Sequence, residues 1–265
     1  MPDREVTVYA QIIEHIFKRH YREGVREFEF QRGEILEAAD QLRLSRPKNV
    51  GDVVYSFRYR QPLPKTITDQ CGADEHWIIE GAGQAKYRFR IVKQARIEPA
   101  PGLYAIPVPD ATPEIIRKYA LTDEQALLAI VRYNRLVDLF LEITAYPLQS
   151  HLRSTIPGVG QIEIDELYVG VNKKGTHYAV PVQAKAGTDK IGVVQARQDL
   201  AFCAHRFPQL IARPVAVQFM ADNVIAMFEL LLDTRDGEVK VKEERHYQLV
   251  EAGDISDEVL AKLQQ

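Results

Sequence analysis

Glu163, Asp165, Gln183 and Lys185 are the residues whose types and spacing could do chemistry in this sequence. Glu163 and Asp165 alternate along Gly160 to Gly170, a strand pattern, and Gln183 and Lys185 alternate along a second one, His177 to Lys185. Asn172-Lys-Lys-Gly-Thr176 separates the two. Gly175 in the last loop position favours a three-residue loop that ends in a left-handed glycine. Asn172 then closes opposite Thr176, so opposed residue numbers sum to 348. Asp165 falls opposite Gln183 and Glu163 opposite Lys185, with all four on one face of the hairpin. Ile162, Ile164, Val180, Val182 and Ala184 take the other face, together with Glu166. Two carboxylates, an amide oxygen and an ammonium are costly to bury on one face without a purpose. Oxygen donors at that density suit a hard cation, Mg2+ or Mn2+. Held by Asp165, Gln183 and Glu163, such an ion would polarise a phosphodiester and acidify a bound water. Lys185 would hold or deprotonate the attacking water, or neutralise the charge that develops on phosphorus.

Other elements must carry that hairpin. Thr122 and Gln125 form a capping box that opens a long helix running to about Thr144 and stopping near Pro147. After Lys185 the pattern predicts a helix from about Lys190 to Arg206, carrying Gln195, Gln198 and Asp199. A buried strand, Pro214 to Phe219, and a hairpin, Val224 to Leu232 and Glu238 to Val250, complete the chain. An aspartate on one strand and Gln-x-Lys on the next resemble the active-site hairpin of the PD-(D/E)XK nucleases. The glutamine form is similar to the Mrr-like restriction endonuclease branch, and the resemblance covers roughly residues 120–220. It implies a restriction-endonuclease-like domain with a central mixed β-sheet flanked by helices. It also implies that Asp165, Gln183 and Lys185 are catalytic, with Gln195 in support. Family members often draw a further acid from the preceding helix, which points to Glu142. No Pro-Asp pair precedes the strand, and Glu163, Asp165 and Glu166 offer three acids where the motif needs one.

The amino-terminal third reads differently. Val8, Ile12, Ile13, Ile16 and Phe17 recur at helical spacing, Glu27 to Phe30 alternates as a strand, and a second helix carries Ile35, Ala38, Ala39 and Leu42. Asn49 caps a third helix with Val50, Val53, Val54 and Phe57 on its inner face and Asp52, Tyr55, Ser56 and Tyr59 outside. A hairpin follows, in which Tyr87, Phe89 and Ile91 face one way and Lys86, Arg88 and Arg90 the other. This order resembles the winged helix-turn-helix fold across about residues 5–95. The resemblance implies that Lys48, Asn49, Tyr55, Arg58, Tyr59 and Arg60 on the third helix, and Lys86, Arg88 and Arg90 on the wing, contact DNA.

The whole is expected to be an α/β (α+β) chain of three parts: a winged-helix domain at 1–97, a proline-rich linker at 98–112 and a nuclease domain at 113–265. The net charge of −3 argues against an indiscriminate nucleic-acid coat, but residues 44–96 hold 10 Lys/Arg against 5 Asp/Glu. Two distant cysteines, Cys71 and Cys203, exclude a disulfide framework. The Cys/His pairs fit no common zinc spacing, and no Walker pattern occurs. No apolar run reaches the roughly 20 residues of a membrane helix, and the amino terminus does not resemble a secretory signal. The resulting expectation is a prokaryotic, cytoplasmic, nucleoid-associated Mg2+-dependent endonuclease acting on double-stranded DNA. It would work as a homodimer, with a DNA methyltransferase as genetic partner. A transcription regulator with a degenerate nuclease domain and a structure-specific repair nuclease are the alternatives.

Overall fold

The computed structural model describes residues 3–119, 124–187 and 189–264. Its amino-terminal part runs α1 (Asp3–His20), β1 (Glu27–Gln31), α2 (Glu34–Gln41), α3 (Val50–Tyr55), a wide π-type turn (Ser56–Arg60), α4 (Lys65–Thr68), β2 (His76–Gly81) and β3 (Lys86–Val92). The three strands form an antiparallel sheet in the order β1-β3-β2. Phe17, Phe28, Trp77 and Phe89 meet there at centroid separations of 5.2 to 6.3 Å, and α2 and α3 close the core with Ile35, Ala38, Ala39, Val53 and Val54. Asn49 caps α3 by accepting the Gly51 N–H at 3.1 Å, as its residue type predicts.

Beyond it come β4 (Arg96–Ile97), β5 (Ala105–Pro109), α5 (Glu114–Tyr119), α6 (Glu124–Tyr133), α7 (Leu136–Leu141), β6 (Thr144–Ile156), β7 (Gly160–Val171), β8 (His177–Lys185), β9 (Ile191–Gly192), α8 (Val193–Arg206), β10 (Ile211–Ala212), β11 (Val215–Phe219), β12 (Val224–Leu232), β13 (Val239–Val250) and α9 (Asp257–Leu263). The molecule is mixed α and β, with a central mixed sheet ordered β5-β13-β12-β11-β8-β7-β6 and helices on both faces. Leu127, Leu128 and Val131 of α6 and Val137 and Phe140 of α7 cover Val180, Val182, Ala184 and Val217 on one face. On the other, Phe202 and Cys203 of α8 cover Ile162, Ile164, Leu167 and Ala179. Among the described residues, no helix is long and apolar enough to cross a membrane.

Three sequence expectations need correcting here. The proline-rich segment is extended, but it is more than a linker: β5 lies parallel to β13 as one margin of the central sheet. The long helix is two helices. Asn134 ends α6 because its side chain takes the Ala111 N–H at 2.7 Å and donates to Thr112 Oγ1 at 2.9 Å, and Arg135 then turns left-handed (φ 50°). Helix α7 ends at Leu141, well before Pro147, which lies inside the 13-residue strand β6. Thr122, expected in the capping box, lies outside the described residues.

The amino-terminal part is docked on the rest. Ile78 and Val92 of its hairpin join Ile191, Val193, Val194, Ala216 and Phe228 in one buried cluster, and β4 pairs with β9 immediately before α8. Gly81 lies so close to the β6–β7 turn that a Cβ there would overlap the Val159 carbonyl oxygen.

Candidate active site

Strands β7 and β8 pair from Val171↔His177 to Glu166↔Val182, so every opposed pair sums to 348, as the turn residues predict. The loop closes with Asn172 N–H on Thr176 O at 3.2 Å and Gly175 at φ 78°. Past Glu166 the backbone ladder stops and side chains take over. Asp165 Oδ2 accepts the Ala184 N–H at 2.9 Å, between Gln183 and Lys185 in the chain. Gln183 Nε2 donates to the Glu163 carbonyl at 2.9 Å. The strands part where the chemistry-bearing residues lie.

That parting changes which face each residue takes. Ile162 and Ile164 pack toward α8, whereas Val180, Val182 and Ala184 pack toward α6 and α7; the apolar set expected on one face is split between two. Face alternation breaks at Asp165, because Ile164 lies on the α8 side while Glu166, two residues on, pairs with Arg132 of α6 and receives the Tyr168 hydroxyl at 2.8 Å. Glu166 is fully buried, an interior structural acid.

Asp165, Gln183 and Lys185 come together at the end of β8, each with a different neighbour. The Lys185 ammonium lies 2.8 Å from Glu124 Oε1 in the first turn of α6. Gln183 is 3% exposed and faces α8, where its Nε2 also reaches Asp199 Oδ1 at 3.0 Å and its Oε1 receives Gln195 Nε2 at 3.3 Å. Burial pushes the Asp165 carboxyl above the ordinary carboxylate value. The Ala184 N–H and Lys185 pull it back, and Glu124 and Glu163 push it up again. Burial likewise raises Asp199 well above that range, against the Gln183 hydrogen bond.

Glu163 and Glu142 stand apart from this group. The Glu163 side chain is 45% exposed and pairs with Arg153 at 3.1 Å, not with Lys185; only its main-chain carbonyl reaches Gln183. Glu142 is the exposed left-handed residue that follows α7 (φ 53°). The acid that α6 does bring to Lys185 is Glu124. It precedes the buried Leu127 and Leu128 by three and four residues, so a charge on the apolar stripe of that helix is the signal that would have marked it.

Among the described residues no three His, Cys, Asp or Glu side chains stand together at metal-binding spacing. The donor set is nonetheless all oxygen. Asp165 Oδ1 has no protein donor among the described residues, Gln183 Oε1 has one long contact, and Glu124 is adjacent through Lys185. That set fits a hard divalent cation.

The residues expected to touch DNA divide into two groups. Lys48, Arg60 and Lys86 are exposed. Tyr55 is 42% exposed, with the Arg60 guanidinium 4.8 Å from its ring centre. Asn49 is exposed but occupied with its cap, and its Nδ2 holds Asp52 at 3.0 Å. Tyr59 does not face outward: its hydroxyl donates to Gln198 of α8 at 3.0 Å, and burial raises its pKa. Arg58 lies over the Tyr59 ring at 5.0 Å, with Nε and Nη2 buried and lacking a hydrogen-bond partner among the described residues. Arg88 is held by Glu29 at 2.7 Å and Arg90 by Glu27 at 2.8 Å. Glu80 stands between them and also takes Arg197 of α8 at 3.0 Å. The outer face of the hairpin is therefore an ionic ladder turned toward α8.

Compared with known proteins, the chain matches no family model, no curated protein and no solved structure.

Proposed function

We propose that this protein is a Mg2+-dependent DNA endonuclease of the PD-(D/E)XK kind, restriction-like, that hydrolyses phosphodiester bonds in double-stranded DNA. The observation that carries the reading is the parting of β7 and β8 at Asp165, whose carboxylate takes the Ala184 N–H between Gln183 and Lys185 at the end of β8. Asp165 and Gln183, with Glu124 at the rim, would hold the cation, and Mn2+ would serve the same donors. The bound ion would supply Lewis-acid polarisation of the phosphodiester and a water of lowered pKa. Lys185, oriented by Glu124, would hold the attacking water in line and offset the negative charge that builds on the phosphoryl oxygens. The amino-terminal part would act as a winged-helix-like reader of the duplex, through the exposed Lys48, Tyr55, Arg60 and Lys86. Cutting both strands takes two such sites, so a homodimer on DNA belongs to this reading.

The test is incubation of plasmid and phage DNA of differing methylation with the protein and Mg2+, beside EDTA and Lys185→Ala. The expected result is discrete fragments that require Mg2+ and disappear in the variant. DNA binding without cleavage on every substrate would instead favour a regulator, and cleavage confined to branched DNA a repair nuclease.

A further inference from the structure

A carboxamide presents two different atoms, and only one of them can bind a cation. The surroundings of Gln183 select that atom. Its Nε2 faces the Glu163 carbonyl at 2.9 Å and Asp199 Oδ1 at 3.0 Å, and its Oε1 faces the Gln195 amide nitrogen at 3.3 Å. A main-chain carbonyl can only accept, so a flipped amide would set oxygen against oxygen at Glu163, and again at Asp199 wherever that carboxyl is ionised. Gln183 and Asp199 are 3% and 1% exposed, so water is poorly placed to satisfy the wrong orientation. The contact on Oε1 is the longest of the three, which leaves that oxygen its accepting capacity.

We propose that Asp199 is a positioning residue: from α8 it holds the Gln183 amide, with the Glu163 carbonyl, so that Oε1 is kept as the atom that can serve as a ligand for a divalent cation. This rests on the reading of Asp165 and Gln183 as a cation site. It also explains why a carboxylate is buried on α8 between Gln195 and Phe202. An acid at position 183 would offer oxygen in either orientation, with one oxygen always facing the Glu163 carbonyl; a glutamine avoids that clash but needs its polarity set.

The test uses the full chain and Mn2+ binding by titration calorimetry, without DNA. Asp199→Asn can turn its own Nδ2 toward Gln183 and so removes one of the two contacts that oppose the flip, and its Mn2+ affinity should fall by about 10- to 100-fold. Adding Gln183→Glu to Asp199→Asn should restore affinity to within a few-fold of wild type, because the two carboxylate oxygens are equivalent. Gln183→Glu alone should bind more weakly than that double variant, since it sets two buried acids together. An unchanged affinity in Asp199→Asn, or a loss that Gln183→Glu does not repair, overturns the role of Asp199. A wild-type chain that binds no Mn2+ overturns the cation reading beneath it. Hydrogen exchange of the Gln183 side-chain amide in the metal-free wild type keeps the test open should a variant fail to fold. Slow exchange is expected, and exchange as fast as that of an exposed glutamine removes the proposed hold.

Discussion

Glu124 and Glu142 are both glutamates at helix ends, and the packing around them separates their roles. Glu124 opens α6 on the stripe that carries Leu127 and Leu128, so its carboxylate is drawn inward to Lys185. Glu142 follows α7 and is exposed. Glu124→Gln keeps the shape but removes the charge that orients the Lys185 ammonium, and should slow Mg2+-dependent plasmid cleavage by about 10²-fold. Glu142→Gln should cut at the wild-type rate. Initial rates of supercoil loss compare the two, and equal rates would remove Glu124 from the site. The neighbourhood of Gln183 and Lys185 on β8 was legible because turn chemistry and the β7–β8 register up to Glu166 are local. Glu163 was misplaced because alternation assumes an unbroken ladder, and the ladder ends at Glu166. Asp199 and Gln198 interrupt the buried face of α8, but their partners, Gln183 and Tyr59, are distant in sequence.

Elements were legible in proportion to how locally they are specified. The β7–β8 register follows from Gly175 and its loop, and α8, β11 and the β12–β13 hairpin follow from their periodicity. The break between α6 and α7 does not, because Asn134 ends the helix through bonds to residues 111 and 112, more than 20 positions away. Strand β12 contains a further tertiary device. Glu229, 3% exposed, receives Arg213 of the β10–β11 connection in a bidentate pair at 2.8 and 2.7 Å, and Lys242 of β13 at 2.9 Å. Burial pushes this carboxyl up, but the Arg213 and Lys242 hydrogen bonds outweigh it and leave the pKa below the ordinary 4.5. Removing one member strands the other, so Glu229→Ala should cost about 3–5 kcal/mol in denaturant unfolding. The pH dependence has a definite sign. A depressed folded-state pKa stabilises fully above the unfolded value and is lost as pH falls through the folded one. The gap in melting temperature between wild type and Glu229→Gln should therefore be widest near neutrality and narrow below about pH 4.5. A gap that is constant from pH 7 to pH 3 would contradict this account.

At the scale of the molecule, the amino-terminal part and the sheet domain form one packed body, and under the proposed function this decides which cations would remain available to DNA. Gly81 against Val159, the β4–β9 pairing and the Tyr59–Gln198 bond fix the hairpin on α8. Gly81→Val must push the turn away from Val159, and should raise hydrogen exchange at Arg96–Ile97 and Ile191–Gly192 while leaving the α1 core protected. The same docking commits Arg88 and Arg90 to Glu29, Glu27 and Glu80, whereas Arg60 and Lys86 carry no ion pair among the described residues and are exposed. A phosphate contact releases condensed counterions, so each one lost lowers the slope of log affinity against log salt by about 1. Arg60→Ala and Lys86→Ala should each weaken duplex binding and flatten that slope by about 1. Arg88→Ala should leave the slope unchanged and instead lower the melting temperature, since Glu29 and Glu80 lose a partner. Fluorescence anisotropy on a duplex across a salt series, with melting curves alongside, reads both quantities. If Arg88→Ala flattens the slope and Lys86→Ala does not, the hairpin must release its ionic ladder on DNA, and the docked arrangement is a resting state that binding opens.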